Sequence, residues 1–367
     1  IVIKELLRFL NPSLLGNQFF PFQSITPLKL KNPMKYRLLQ SFLPLLIASS
    51  LAVLFSACSE RDNTIVLRGA SQFDENHSFN QTLRKFEELV KENYGGEVRF
   101  EIYGNSELGL EKDYFAYMSQ GLSVDFAIVS PSHMSTFSKA APIMDMPFLF
   151  RDTGHWNKVL NGDALQPIAD DVSDRADVQL IGYAGGGTRH LIVNKPVRNM
   201  KELKGLNIRV MGAPIQTRIF QAITAAPTVI AYNEIYNAIQ TGVIDAAENE
   251  ATGIQQMKFY EVGPQISLTQ HAITVRPLCF SGKTLRSLPE DLQAAIIKAG
   301  KEAGAYGRMI ESNLDSELLA QMEAEDKLKT HVFTERDKLL ALTVPIKIAF
   351  AEEVDALDVL ERVNNVQ

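Results

Sequence analysis

Leu206, Ile208 and Val210 alternate with Asn207 and Arg209, the period-two pattern of a strand with one buried face, and that pattern puts Arg209 on the other face. Gly212 and Pro214 end the strand, and residues 215–223 then carry apolar positions at helical spacing, so a guanidinium is predicted beside a strand-to-helix turn. Residues 227–231 read as a second strand. Residues 233–241 read as a helix with Asn233 as its N-cap and Gly242 just past its end, and a third strand starts at Val243. Short strand-helix-strand units of this kind build an open α/β sheet, which takes ligands outside the carboxyl ends of its strands.

The same patterning runs along the rest of the chain. A short apolar run from Ile65 ends at Gly69, and a helix from about Phe79 turns Leu83, Phe86, Leu89 and Val90 inward, with the polar loop 74–77 between them. Residues 98–103 alternate as a strand, 111–120 form a helix stopped by Gly121, and 124–129 form a strand ending at Ser130. Residues 178–183 are a strand followed by Gly185, Gly186 and Gly187. A phosphate loop is excluded there, because the next run is strand-like rather than a helix amino terminus. We expect a strand crossing between two lobes, with the glycines freeing φ and ψ at a hinge. Pro289 opens a helix that persists to about Asp326, roughly 57 Å if unbroken, long enough to span both lobes, with Gly300, Gly304 and Gly307 as points of bending. A strand over 328–333 and closing helices over 335–363, interrupted by Pro345, complete the reading.

A chain of 367 residues accommodates two lobes, each with its own core. Only six of its 37 basic residues and one of its 43 acidic residues lie before Cys58, so the body is strongly acidic and should avoid nucleic acid and anionic lipid heads. Residues 34–58 read as a secretory signal: a basic start at Lys35 and Arg37, an apolar run over 42–55 too short for a comfortable span, and a small-residue processing site. Cys58 resembles a bacterial lipoprotein site, with Phe55 where leucine is usual. Lipid anchoring at Cys58 and release by ordinary cleavage both stay open, and in either case the expected location is the periplasm. Residues 1–33 are read as an upstream extension without a folded role. Cys58 and Cys279 are the two cysteines, too few for a disulfide framework, and Cys279 is expected as a buried small hydrophobe.

Leu203-Lys-Gly-Leu-Asn-Ile-Arg-Val210, Asn233-Glu-Ile-Tyr-Asn-Ala-Ile-Gln-Thr-Gly-Val-Ile-Asp245 with Glu248-Asn249, and Lys258-Phe-Tyr-Glu-Val262 resemble, in order and spacing, the solute-binding receptors of tripartite ATP-independent periplasmic (TRAP) transporters. The resemblance implies a two-lobe α/β periplasmic binding protein of the Venus-flytrap kind, with crossing strands and a long helix spanning both lobes. Lobe I is expected over 62–186 plus 275–314 and lobe II over 187–274 plus 315–367. It assigns Arg209 the substrate carboxylate, a role the chemistry suits, since a planar guanidinium donates two parallel hydrogen bonds that a lysine does not reproduce. The competing reading is an arginine in a surface salt bridge.

The resemblance also turns Glu75 and His77 towards the cleft, against a solvated loop in which His77 caps a helix. Ser130 stands at a strand end as a ligand contact or a helix cap. Arg189 aligns with a second arginine near the carboxylate, or supports Arg209 through a carboxylate partner. Tyr232 stands where a ring meets substrate, Glu234 and Asn249 suit hydroxyls, and His271 reaches the cleft or stays structural. Glu248 and Glu250, as bare chemistry, read as solvent-exposed neighbours across a strand end.

The favoured function is a receptor that binds an organic acid, a uronate or related sugar acid, and hands it unchanged to the small and large membrane subunits of a TRAP transporter. A C4-dicarboxylate or sialic-acid-type receptor is the alternative within the family, and a receptor reporting to a sensor protein is a third. An enzyme acting on a sugar acid is the alternative of another class. It lacks support: His77, His133, His155, His190, His271 and His331 show no metal-ligand spacing, and neither a Gly-x-Ser-x-Gly elbow nor a Walker loop occurs. No catalytic residue, metal or cofactor is therefore expected.

Overall fold

The computed structural model describes residues 64–367. The expected extension, signal and Cys58 lie outside the described residues. Nine strands form one sheet among these residues: β1 (Ile65–Ala70), β2 (Val98–Tyr103), β3 (Phe126–Ile128), β4 (Val178–Val193), β5 (Asn207–Val210), β6 (Ala226–Val229), β7 (Ala246–Asn249), β8 (Gln265–Ser281) and β9 (Lys329–Val332). Their order is β2-β1-β3-β8-β4-β7-β5-β6, with β9 paired to β8. β1, β2 and β3 are parallel, as are β5, β6 and β7, so each trio exposes a row of carboxyl ends.

β4 and β8 join the two trios. They are antiparallel to each other from Val178↔Ser281 to Val193↔Gln265. The carboxyl half of β8 pairs with β3 through Ile128↔Leu278, whereas the carboxyl half of β4 pairs with β7 through His190↔Asn249. Each long strand thus belongs to both lobes of a two-lobe fold. Their register slips between Gly185 and Thr188, where Gly185 has φ +105° and Gly186 φ +127°. These are conformations open to glycine and costly to other residues, and they fall where the sequence reading put the crossing.

The helix Glu290–Ala324 runs 35 residues without a break, about 52 Å, and lies along β4. Gly300 and Gly304, expected as points of bending, lie inside this unbroken helix. A Cβ on Gly304 would sit 2.6 Å from Tyr183 N, and one on Gly182 of β4 would sit 2.0 Å from Gly300 O, so the glycines let helix and strand backbones touch. Pro345 likewise fails to interrupt its helix, Arg336–Glu353. Pro345 and Ala341 four residues earlier are both exposed, so water satisfies the carbonyl that loses its N–H and the helix continues. The chain instead turns at 354–356 and ends in helix Leu357–Asn365, whose Val363 O lies 2.8 Å from His155 Nε2. Near residue 233 the cap differs from expectation: a single 3-10 turn, Tyr232–Glu234, precedes helix Ile235–Gln240, and Asn233 caps neither.

Among the described residues four apolar clusters hold the frame. One joins Phe79, Phe86, Phe126 and Phe280 between β1, β3, β8 and the helix Ser78–Asn93. A second gathers Trp156, Ile168 and Val178 with Phe350 and Leu360. The third and fourth lie on either side of β5 and β7. Cys279 belongs to the second, fully buried as a small hydrophobe. Among the described residues, no helix is long and apolar enough to cross a membrane.

Candidate functional site

Ile208 and Val210 turn into the core of the β5–β7 half, and the alternation of the strand sends Arg209 the other way, at the carboxyl end of β5. Its guanidinium is 2% exposed and lines a cavity of about 270 Å³ together with Gln72, Ser132, His133, Ile230 and Tyr232. Nε donates to Ile230 O at 3.0 Å, which fixes the plane of the fork, and the Tyr232 ring centroid lies 5.9 Å from Cζ. Burial lowers its pKa to about 10, even with Glu248 opposing the shift, so it stays protonated at neutral pH. Among the described residues its two amino groups have no hydrogen-bonded partner, and a fixed, charged fork of that kind is chemically suited to a carboxylate.

Behind it stands a second, saturated arginine. Arg189 Nε donates to Glu248 Oε2 at 2.5 Å, Nη1 to Asn249 Oδ1 at 3.0 Å and to Glu250 Oε2, and Nη2 to Glu248 O at 2.8 Å. Burial opposes its charge, but the two carboxylates outweigh that and hold its pKa above the usual arginine value. Glu248 and Glu250 are therefore buried ion-pair partners, not the exposed neighbours the sequence suggested, because β7 pairs with β4 and sets them against Arg189. Glu248 Oε2 also lies 3.2 Å from His271 Nε2, and its other oxygen, without a hydrogen bond, lies 3.9 Å from Arg209 Nη1. Burial disfavours the Glu248 anion, yet Arg189 and His271 hold its pKa well below the usual range. Of the two roles open to Arg189, the geometry is that of support for Arg209 through a shared carboxylate.

The remaining sequence candidates divide by what they touch. Tyr232 lines the cavity, its hydroxyl receiving Asn249 Nδ2–H at 2.9 Å, so Asn249 is engaged by Tyr232 and Arg189. Ser130 is buried, its Oγ donating to Asp145 Oδ2 at 2.7 Å and its N–H to Glu111 Oε2 at 2.6 Å. His271 is held between Thr269 and Glu248. Glu75 is exposed and pairs with Arg84 at 3.8 Å, and Glu234 is exposed and receives Ala231 N–H at 3.3 Å. His77 caps the helix Ser78–Asn93: Nδ1 accepts Phe79 N–H at 3.1 Å, and the ring stacks on Phe73 at 4.1 Å. Burial lowers its pKa to about 3, so the ring is neutral, with its proton on Nε2. Among the described residues no group of three or more His, Cys, Asp or Glu is arranged to hold a metal.

Sequence reasoning missed the opposite wall. Buried Glu111, at the start of the helix Glu111–Gln120, receives Gln72 Nε2–H at 3.2 Å and Ser130 N–H, and lies 2.9 Å from His133 Nδ1. It thereby fixes Gln72 and His133 against the cavity. Both follow carboxyl ends of strands, β1 and β3, and extending that rule beyond Ser130 would have found them.

A buried acid lies beside the crossing of β4 and β8. Glu311, on the long helix, accepts Ser78 Oγ–H, Thr274 Oγ1–H and Gly187 N–H at 3.2–3.3 Å, and forms no ion pair within 4.0 Å among the described residues. Burial, with Glu250 nearby, pushes its pKa up to about 8. Because the folded value is raised, the stability linked to this group is complete below about pH 4.5 and is lost as pH rises through 8. Glu311→Gln should therefore melt like the wild type at pH 4.5 and above it at pH 8.5, a gap that a melting series against pH would show growing with pH. A gap constant with pH would contradict it.

Residues 70–341 match bacterial extracellular solute-binding proteins, family 7. The chain belongs to that family. It is 54% identical over 316 residues to a solute-binding protein of Sulfitobacter sp. NAS-14.1, covering 86% of this chain and 95% of that one. A crystal structure of a TRAP periplasmic solute-binding protein from the same organism, with α-D-taluronate bound, superposes with TM-score 0.81 at 55% identity, covering 82% and 97% of the two chains. One from Citrobacter koseri with bound D-glucuronate gives TM-score 0.76 at 25% identity, covering 82% and 99%. The 2,3-diketo-L-gulonate-binding periplasmic protein of Escherichia coli K12 is 27% identical, over 81% of this chain and 90% of that one. Family 7 proteins of this kind are periplasmic solute receptors and not enzymes, and the two-lobe fold of this chain is theirs.

Proposed function

We propose that this family 7 receptor binds a hexuronate or closely related sugar acid and delivers it unchanged to the membrane subunits of a TRAP transporter. The observation that carries the reading is the Arg209 fork: buried, charged, oriented by Ile230 O, and presented to a cavity at the carboxyl edge of the sheet. Arg209 takes the carboxylate and Tyr232 lies against the sugar, while Arg189, Glu248, Asn249 and His271 hold Arg209 in place. Ser130 and Glu111 set the facing wall. The uronates carried by similar receptors support the ligand class.

A relative from Shewanella loihica, 29% identical, is named for C4-dicarboxylates. For such a ligand the second cation would not be Arg189, which is saturated by Glu248, Glu250 and Asn249. The lobes of this reading are 62–186 plus 275–314 and 187–274 plus 315–367, a division supported by the crossing of β4 and β8, and the C-terminal helix meets the first through the His155–Val363 contact. A signal over 34–58 would export the chain, with Cys58 as the lipidation point if it is anchored.

Thermal melting of purified protein against hexuronates, aldonates, C4-dicarboxylates and sialic acid tests the reading. A hexuronate at 100 times its Kd should add about 2.7 kcal/mol of stability. Stabilisation by C4-dicarboxylates or sialic acid with none by any hexuronate would overturn it.

A further inference from the structure

A second cavity, of about 260 Å³, shares no lining residue with the one that holds Arg209. Its wall forms where the segment from Phe148 to Thr153, the crossing strands β4 and β8, and the start of the helix Arg336–Glu353 meet. Arg151 and Arg336 both line it. Arg336 Nη2 donates to Gln270 O at 3.1 Å and its guanidinium carbon lies 5.8 Å from the Phe148 ring centroid, yet its Nε–H, withdrawn from water, has no acceptor. Arg151 donates from Nη1 to Asn364 O at 3.0 Å and from Nη2 to Val366 O at 2.5 Å, both neutral carbonyls. Among the described residues neither guanidinium forms an ion pair within 4.0 Å. Asp152 is the one carboxylate on the wall, with an oxygen taken by His155 N–H at 2.8 Å, and His271, its pKa lowered by burial, adds no charge at neutral pH. The wall therefore keeps a surplus of one positive charge.

The backbone around this cavity is held in costly conformations. Phe148 and Gln270 both have left-handed φ, +60° and +46°, which side chains with a Cβ seldom adopt. Phe148 is pinned from both sides, its N–H given to His271 O at 2.6 Å and its carbonyl receiving Lys347 Nζ–H at 2.5 Å. The helices that begin at Thr153 and Arg336 bring the positive ends of their dipoles to the same wall. Thr153 and Thr188 add hydroxyls, and Phe148, Phe150 and Ile273 give an organic remainder an apolar surface to lie on. A carboxylate has two oxygens and is filled by one guanidinium fork. A phosphate group offers three acceptor oxygens and answers two forks at once.

We propose that this cavity is a phosphate site, in which Arg336 and Arg151 bind the phosphate group of inorganic phosphate or of a small phosphate ester while Thr153 and Thr188 donate to its remaining oxygen. The anion answers the Arg336 Nε–H, a buried donor that costs free energy while it has no acceptor. Arg151 precedes the crossing strands in the chain and Arg336 follows them, so the bound anion links the segments assigned above to different lobes. The site is independent of the Arg209 seat and of the sugar-acid reading.

The test is calorimetry on the whole receptor, in buffer free of phosphate and sulfate, with inorganic phosphate, glycerol 3-phosphate and malonate as ligands. Phosphate or the ester should bind with a Kd of about 1 mM or tighter, and the tighter of the two identifies the source of the group. Arg336→Gln should weaken that binding roughly tenfold or more while the hexuronate that stabilises the receptor most stays within about threefold, and Arg209→Ala should leave phosphate within about threefold. Arg151→Gln, at the exposed rim, should weaken phosphate as well, and it is the variant read if Arg336→Gln gives no cooperative melt. The site would be overturned by no binding of either phosphate up to about 10 mM, by malonate bound as tightly as phosphate, or by unchanged phosphate affinity in the folded arginine variant. Loss of phosphate binding in Arg209→Ala would place the anion in the carboxylate seat instead, and equal losses of phosphate and hexuronate in Arg336→Gln would mark a change of fold; either result overturns the proposal.

Discussion

Arg209→Ala should weaken hexuronate binding by about 2–5 kcal/mol, roughly 30- to 5,000-fold, while the ligand-free protein melts close to the wild type. The affinity loss follows from geometry. The Ile230 carbonyl holds Nε, so the outer edge of the fork meets the carboxylate already oriented, and little rotamer freedom is lost on binding. Burial makes the pair count for more than it would in water, because closing over the ligand removes the competing solvent. Lys112 also lines the cavity, but it is exposed and hydrated and supplies a point charge without a fork. Arg209→Lys should accordingly recover only part of the affinity. The small effect on stability follows from Glu248, which keeps Arg189 and His271 when Arg209 is gone. Calorimetric titration of both variants measures the effect, and binding within threefold of the wild type would remove Arg209 from the site.

Glu248→Ala should do the reverse of this to the free protein. It leaves the Arg189 guanidinium buried with one of its two carboxylates gone and removes one of the two partners of His271, a class of change that costs about 3–5 kcal/mol, of order 10 °C in Tm. Glu248→Gln keeps an acceptor for Arg189 and should lose less. The linkage has the opposite sign to that of Glu311. A carboxyl whose pKa is lowered in the fold contributes stability that is complete above about pH 4.5 and is lost as pH falls, so acid should narrow the gap between Glu248→Gln and wild type. Chemical denaturation at pH 7 and pH 4 checks both points. A wild-type midpoint for Glu248→Ala at pH 7 would mean that Arg189 finds other partners.

The parts of this site that were legible in the sequence are those fixed by local periodicity. Alternation over 206–210 placed Arg209 on the correct face of β5, and the glycines after Tyr183 marked the crossing strand. The same periodicity gave the helix Glu111–Gln120 to the residue. The parts that were not legible depend on which strands become neighbours. Glu248 and Glu250 look like solvated charges until β7 is laid antiparallel to β4 and sets them against Arg189. Gly300 and Gly304 look like weak points of a helix until β4 is seen against them. Glu75 and Glu234 show the opposite limit: being polar and near a strand end did not bring them to the cavity wall.

The paired β4 and β8 have one further consequence. Two backbones laced to each other on both sides of the crossing resist sliding, since that would break their ladder, but they flex where the register already slips beside Gly185 and Gly186. A rotation of one half against the other would accordingly be expected to centre on that slip, as a cover turns on a spine.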